Sequence, residues 1–381
     1  MATKINVRSP YYVKISYADL DSVLLRLYVW EGSITSLPAI TLSFTKYAIG
    51  TNEYVVFDLA EYIRGYMVTE FSSYETRNVW VDYTALAYNA AGTLLTTIEG
   101  DRLAAFDGYG YFDEGVNPEL SNGVLMSNRI VYRLNDSNVR VPVFTKETNA
   151  VAFFYKGIVK RIKGINNSLL SDEQIEYVSV SGNKDETTYM QRVLSTGGTF
   201  ELSPCLDEFL DTVDIGVIDS ILVNYDQDGL TRTDVIDVVS VEECRYTPYI
   251  MTFVNKFGAL QDMWFYKKSV TSLAITSENY KSNTMDFSST PAYSTTDAQY
   301  SRFNVNGREK ISVNTGFIDE QYNEVIKQLM LAEYAWIDDG TGALPISISS
   351  NSLSFKKSVN DKLIDYTLEF EYAFDKINNI R

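Results

Sequence analysis

Hydrophobic and polar positions along the first 120 residues fall into short runs. Tyr11–Tyr17, Val23–Trp30, Ile40–Tyr47, Tyr54–Leu59 and Val79–Tyr88 are apolar and aromatic, and clusters of Gly, Ser, Asn and Asp separate them. Runs of this length and spacing predict the strands of a β-sandwich. In Val23–Trp30 the two faces are almost equally apolar, with Leu25, Leu27 and Val29 set against Arg26, Tyr28 and Trp30. Such a strand lies centrally in a sheet or at an interface. Asn89–Gly92 predicts a hairpin turn into Thr93–Ile98, and Leu59–Met67 a short helix.

Residues 121–247 replay part of this order. Phe57–Leu59 before Glu61–Ile63 is echoed by Phe200–Leu202 before Leu206–Phe209. Asp82–Ala87 with its turn is echoed by Ser220–Tyr225 with Asp226–Gly229, followed by the β-type run Thr231–Val241. The echo predicts a second, related module; the alternative is that strand, turn and short helix recur by chance, as they do in β proteins.

The pattern changes after residue 247. Asn255–Gly258, flanked by Tyr249–Phe253 and Met263–Tyr266, is a hairpin signal. Residues 276–304 are rich in Ser, Thr, Asn and Tyr and read as a long loop or arm that needs a neighbour to order it. Asp319–Ile337 reads as an amphipathic helix begun by Asp319 as N-cap, with only Glu333 off the apolar spacing. In the tail, Ile364, Tyr366, Leu368, Phe370 and Tyr372 alternate with Asp365, Thr367, Glu369 and Glu371. A period of two means one face on a core and one acidic face outward. Pairing is expected with Ile346–Ile348 and, across the Asn360-Asp361 turn, with Leu353–Phe355. The expectation is an edge strand open to another chain, with Asp365, Glu369 and Glu371 as partner contacts.

The expected fold is therefore mainly β: immunoglobulin-like β-sandwich modules over 1–120 and 121–247, then an α+β unit, a helix on an antiparallel sheet, over 248–381. Composition supports this. The 381 residues are 45% hydrophobic, enough for sizeable cores, and the 28 Tyr and 19 Phe suit half-buried strands and interfaces.

Charge and missing residue types remove function classes. With 33 basic against 50 acidic residues, a net charge of −17 opposes nucleic-acid phosphates and anionic membranes. The one basic cluster, Lys156–Lys163, alternates with Ile and Val and reads as a strand with a cationic face. The absence of His removes Ser-His-Asp and Cys-His catalysis and all His-ligated metals. Cys205 and Cys244 form no CxxC; buried thiols or a single disulfide both fit. Asp226–Gly229 matches only the opening of a calcium loop, because Thr231, Arg232 and Thr233 supply no further ligands in register, so it reads as a turn. Asp338–Gly340 reads the same way. Acid pairs such as Asp207/Glu208, Asp211/Asp214 and Glu242/Glu243 are expected by chance among 50 carboxylates. No cofactor, metal site or enzymatic activity is expected.

Phe106–Pro118 carries Tyr109, Tyr111 and Phe112 between glycines without a GxGxxG spacing. These rings are either an exposed platform for a sugar or protein partner, or an aromatic linker packed between the first two modules. Burial of apolar rings favours the linker.

Asn6–Pro10, Phe106–Leu120, Thr252–Ala259 with Trp264–Ser269, Ile311–Gly316 with the following helix, and Ser358–Arg381 resemble sequences of virion structural proteins of tailed bacteriophages infecting Bacteroidetes-type hosts. The resemblance touches both ends of the chain but assigns no residue roles. It implies a tail, baseplate or fibre-attachment protein, a homo-oligomer (trimer or hexamer) in contact with other tail proteins. Met1–Lys14 lacks a signal-peptide stretch and no run reaches membrane-spanning length, so synthesis in the host cytoplasm followed by virion assembly is expected. The alternative is an adhesin that binds host-surface carbohydrate through exposed aromatics. A glycan-cleaving enzyme using carboxylates is a weaker third reading.

Overall fold

The computed structural model describes residues 3–31, 38, 40–67, 71, 78–117, 130–134, 230–350, 352–356 and 364–378, with the backbone alone for the strands within 139–227 and for 230–238. The chain is mainly β and forms several sheets.

In the first unit, β1 (Thr3–Asn6), β3 (Ser22–Trp30), β4 (Ile40–Tyr47), β6 (Asn78–Tyr88), β7 (Leu94–Glu99) and β8 (Leu103–Phe106) form one sheet in the order β1-β8-β6-β3-β4, with β7 also on β6. β2 (Tyr12–Ser16) and β5 (Tyr54–Asp58) form a two-stranded ladder. Asp58 accepts a hydrogen bond from Ala60 N (3.1 Å) and so caps α1 (Leu59–Arg64). The ladder and α1 place Ile15, Val55, Phe57, Leu59 and Ile63 over Val23, Leu25, Leu27 and Val29 of β3, closing one apolar core. The opposite face of the sheet holds a second cluster, Trp30, Trp80, Ala104 and Phe106, and Ala259 from the far end of the sequence covers it. β3 lies between β4 and β6; one face is buried along its length, while the other is buried only at Trp30, with Tyr28 half-buried beside it and Arg26 exposed.

In the middle of the chain, β10 (Val139–Phe144), β11 (Thr148–Tyr155), β12 (Ile158–Asn166) and β15 (Gly198–Thr199) form one sheet. β9 (Ile130–Leu134), β13 (Ser179–Ser181), β14 (Thr188–Met190), β16 (Ser220–Gln227) and β17 (Leu230–Val241) form another, with β9 and β17 parallel. Of the expected strand at Lys156–Lys163, Ile158–Lys163 lies in β12, but its side chains lie outside the described residues, as do Cys205 and the echo at Phe200–Phe209. β16 and β17 pair antiparallel from Gln227↔Leu230 onward, so Asp226 lies in β16, while Asp228 and Gly229 of the expected turn lie outside the described residues. The sequence boundary near 120 does not isolate this part: Ile130 and Tyr132 on β9 are buried in the core of the C-terminal unit.

That unit is a seven-stranded antiparallel sheet, β19-β18-β22-β23-β24-β21-β20. Its strands are β18 (Tyr249–Val254), β19 (Leu260–Phe265), β20 (Val270–Lys281), β21 (Tyr300–Asn314), β22 (Ala335–Asp338), β23 (Leu344–Ile348) and β24 (Thr367–Tyr372). α2 (Asn323–Met330) buries Val325, Ile326 and Leu329 against Met251, Phe265, Val313, Leu368 and Phe370.

Three expectations change here. The helix expected over Asp319–Ile337 begins as expected, with Asp319 accepting from Gln321 N (2.8 Å), but α2 stops at Met330. Ala335 and Ile337 are buried, while Trp336 and Asp338 are not, which is strand periodicity; β22 pairs with β18 and β23. The alternating tail segment is not an edge strand, because β24 lies between β23 and β21. Its pairing with Ile346–Ile348 is present, whereas Leu353–Phe355 forms no strand and Asn360-Asp361 lies outside the described residues. Residues 276–304, expected as a loop, include the ends of β20 and β21, and only 282–299 connects them.

Candidate functional site

Two regions offer a physical basis for function. One is a seam between the first and last units; the other is an exposed hairpin.

The seam is built by the Asn255–Gly258 turn of the β18–β19 hairpin. Asn255, fully buried, accepts hydrogen bonds from Phe257 N (2.9 Å) and Ala259 N (3.0 Å) and donates to Gln261 (3.1 Å), which locks the turn. Gly258 sits at φ +78°, and a Cβ there would lie 2.8 Å from Asp107 N. A Cβ on Gly108 would lie 2.5 Å from Lys256 O. The two glycines thus let the backbones touch. Tyr109 N donates to Lys256 O (2.8 Å), Arg8 N donates to Gly108 O (2.9 Å), and Lys256 N donates to the buried Gln328 on α2 (3.1 Å).

Tyr109 and Tyr111 belong to this seam. Tyr109 is 9% exposed, with the Arg8 guanidinium 4.8 Å from its ring centre. Tyr111 donates to Glu324 on α2 (2.7 Å), and the Lys327 and Lys256 ammonium groups lie 3.8 and 4.2 Å from its ring centre. Lys256 is ion-paired with Glu114, and Arg8 and Arg64 converge on Glu333 at 3.3 and 2.6 Å. The aromatic segment is therefore a packed linker, but one set between the first and last units rather than between the first two modules. Phe112 differs from its neighbours: it is fully exposed.

Burial pushes the Tyr109 phenol up to about 12, with the Glu324 carboxylate adding to the rise and Arg8 and Tyr111 opposing it. Tyr111 is raised too, by burial and by its hydrogen bond to Glu324. A raised phenol favours the folded state fully below the ordinary value of 10, and that contribution is lost as pH rises from 10 towards 12. The phenolate absorbance of the native chain minus that of Tyr109→Phe is expected to appear near pH 12; a midpoint near 10 would contradict burial in the seam.

The acidic residues of the alternating tail, Asp365 just before β24 and Glu369 and Glu371 on it, have different neighbours. Asp365 accepts from Asn314 (3.0 Å) and pairs with Lys356 (2.9 Å), contacts that hold its carboxyl below the ordinary range. Glu371 pairs with Lys310 (3.3 Å) and Arg308 (3.5 Å), and Glu369 is exposed. The structure thus brings Asp365 and Glu371 into contacts with this chain's own bases. Asp338–Gly340 is a turn in which Asp338 accepts from Gly340 N (2.7 Å) and Gly342 N (3.0 Å). Among the described residues no group of three or more Cys, Asp or Glu side chains is placed to hold a metal ion, and no helix is long and apolar enough to cross a membrane.

The hairpin is the feature that sequence reasoning placed least well. β21 pairs with β24 only over Lys310–Asn314; of the residues before it, Asn306 and Gly307 also bond the segment Asp375–Ile377, and Tyr300–Phe303 have β20 as their one ladder partner among the described residues. At about 3.3 Å per residue the 12 residues of β20 span roughly 40 Å. Every residue of β20 except Ser277 is exposed. Leu273 (49%), Ile275 (57%), Phe287 (66%), Tyr293 (66%) and Tyr300 (65%) are large apolar side chains left in solvent. The tip is drawn together by Asp286 and Ala292, bonded to each other's backbones, and by an edge-on Tyr280–Phe303 contact at 5.7 Å. The available signal was the charge-free apolar alternation Leu273-Ala274-Ile275, which the polar composition further along masked.

No protein-family model matches the chain, and no curated protein matches it.

Proposed function

We propose that this chain is a structural component of a tailed-phage particle, in its tail, baseplate or fibre attachment. It acts by assembling with copies of itself and with neighbouring virion proteins, not by catalysis. The observation that carries this reading is the exposed β20–β21 hairpin. Isolated apolar side chains on a surface are ordinary, but a row of them along an uncovered two-stranded arm marks an interaction site. The sequence resemblance at Asn6–Pro10, Thr252–Ala259 and Ser358–Arg381 supports the virion setting. On this reading the first two units are immunoglobulin-like modules and the last is an α+β assembly unit, repeated with three-fold or six-fold symmetry.

Against the adhesin reading, a sugar platform needs accessible rings, and of the three named only Phe112 is exposed: Tyr109 is buried and Tyr111 lies between Lys256 and Lys327.

The test replaces residues 276–306 by Asn-Gly, a two-residue hairpin turn closing Ile275 against Gly307. The shortened chain, which loses half of the β20 edge but keeps Leu273–Ile275, should keep its melting temperature yet self-associate more weakly in mass photometry and fail to enter particles. An intact chain that is monomeric at high concentration and absent from purified particles would defeat the proposal.

A further inference from the structure

We infer that the outer edge of β20 is a self-association surface, on which a second copy of this chain docks its own β20 antiparallel about a two-fold axis through Ala274. The inference deepens the assembly reading and rests on it only in supposing that copies meet.

Among the described residues β21 is the only ladder partner of β20, so one edge of a 12-residue strand presents its alternate N–H and C=O groups outward. Natural edge strands are ordinarily blunted by a charge, a proline or a bulge. From Ser269 to Ser277 there is neither charge nor proline, and the register shift in this hairpin falls only at the far end of that stretch, between Thr276 and Glu278. The extra residue lies on β21, around Asn304 at φ +48°, leaving the β20 edge continuous.

The occupant follows from the order of residues. Read outward from Ala274, β20 is chemically alike for three positions in each direction, Leu273 and Ile275, Ser272 and Thr276, Thr271 and Ser277, and the likeness ends at Val270 and Glu278. In an antiparallel pair centred on Ala274, Leu273 meets Ile275 of the second copy and Ile275 meets its Leu273, two aliphatic cross-strand contacts on one face. The registers Leu273↔Glu309 and Thr271↔Ile311 put those side chains on the face that carries Ile311 into the core, so the new contacts extend an existing apolar layer. On the other face two alanines meet, which lets the strands close without obstruction. Lys268, two residues before β20 begins, and Glu278 are both exposed and oppositely charged, so each end of the pair brings unlike charges towards each other. A strand from an unrelated partner would not need this inverted symmetry; a second copy does.

Register-specific cross-linking tests the inference. In a full-length background carrying Cys205→Ser and Cys244→Ser, Ala274→Cys places the two thiols directly opposite. The Cα separation of about 4.5–5.5 Å in such a pair suits a disulfide. Mild oxidation should convert most of Ala274→Cys to covalent dimer. Val270→Cys and Glu278→Cys should each give none alone, and a heterodimer when mixed. Ile275→Lys, which alters only an exposed side chain, should weaken self-association at least tenfold with an unchanged melting temperature. Oligomers that persist without a cross-link at position 274 overturn this interface and leave the assembly reading standing. A chain that is monomeric at all concentrations overturns both.

Discussion

Gly258→Ala is expected to lose about 2–5 kcal/mol of stability, from roughly 1–2 for a side chain at positive φ and roughly 1–3 for overpacking. The contacts decide the size of the effect. The added Cβ would meet Asp107 N at 2.8 Å, Asp107 C at 3.0 Å and Gly108 N at 3.1 Å, all backbone atoms that cannot rotate away as a side-chain tip can. Gly92 supplies the control: its φ of +76° is nearly the same, but nothing lies within 4 Å of its Cβ position. Gly92→Ala should therefore lose only about 1–2 kcal/mol. Urea unfolding of both variants separates the backbone term from the clash. Equal losses would mean that the two units do not touch at Asp107–Gly108. The variant should also be cleaved faster by proteases near residues 107–117, since the clash pushes the linker away from Lys256.

Phe370→Ala should cost about 3–5 kcal/mol. Phe370 is fully buried at the middle of the seven-stranded sheet, edge-on to Phe265 with ring centres 6.0 Å apart. Strands on both sides hold β24 in place, so the cavity cannot collapse. Phe303→Ala makes the contrast on the arm: it removes a ring of the same size, 40% exposed, and should cost about 1 kcal/mol or less. Thermal or urea unfolding that ranked these two variants in the opposite order would refute the assignment of β24 to the interior and of Phe303 to the surface.

The difference between these phenylalanines also shows what the sequence could convey. Alternation at Ile364–Tyr372 correctly separated a buried face from a polar one, because a side-chain period of two is a local property. It could not say which strands would flank β24, because neighbours along a sheet are set by contacts far apart in sequence. The edge was therefore expected at β24, whereas β20 holds it. Similar logic applies at Ala335–Ile337: three or four apolar residues fit helix and strand spacing alike, and pairing with Thr252 and Pro345 resolves them as strand. β1 and β8 escaped notice because each is only four residues long and they pair in parallel across nearly the whole first unit. Of the candidate site residues, Tyr109 and Tyr111 were recognisable as aromatic but not as seam residues. Their partners Lys256, Glu324 and Lys327 lie more than 140 positions away, where no local pattern reaches.

The cover over Trp80 and Phe106 has a consequence for synthesis. Ala259, which closes that cluster, follows Phe106 by 153 residues (259 − 106). At roughly 5–20 residues per second, the indole face of the first unit waits about 8–30 s on the ribosome for its lid. Throughout that interval the nascent chain presents two adjacent tryptophans, Trp30 and Trp80, paired across neighbouring strands. An interval open to aggregation therefore precedes completion of the chain, and it ends when the Asn255–Gly258 turn arrives.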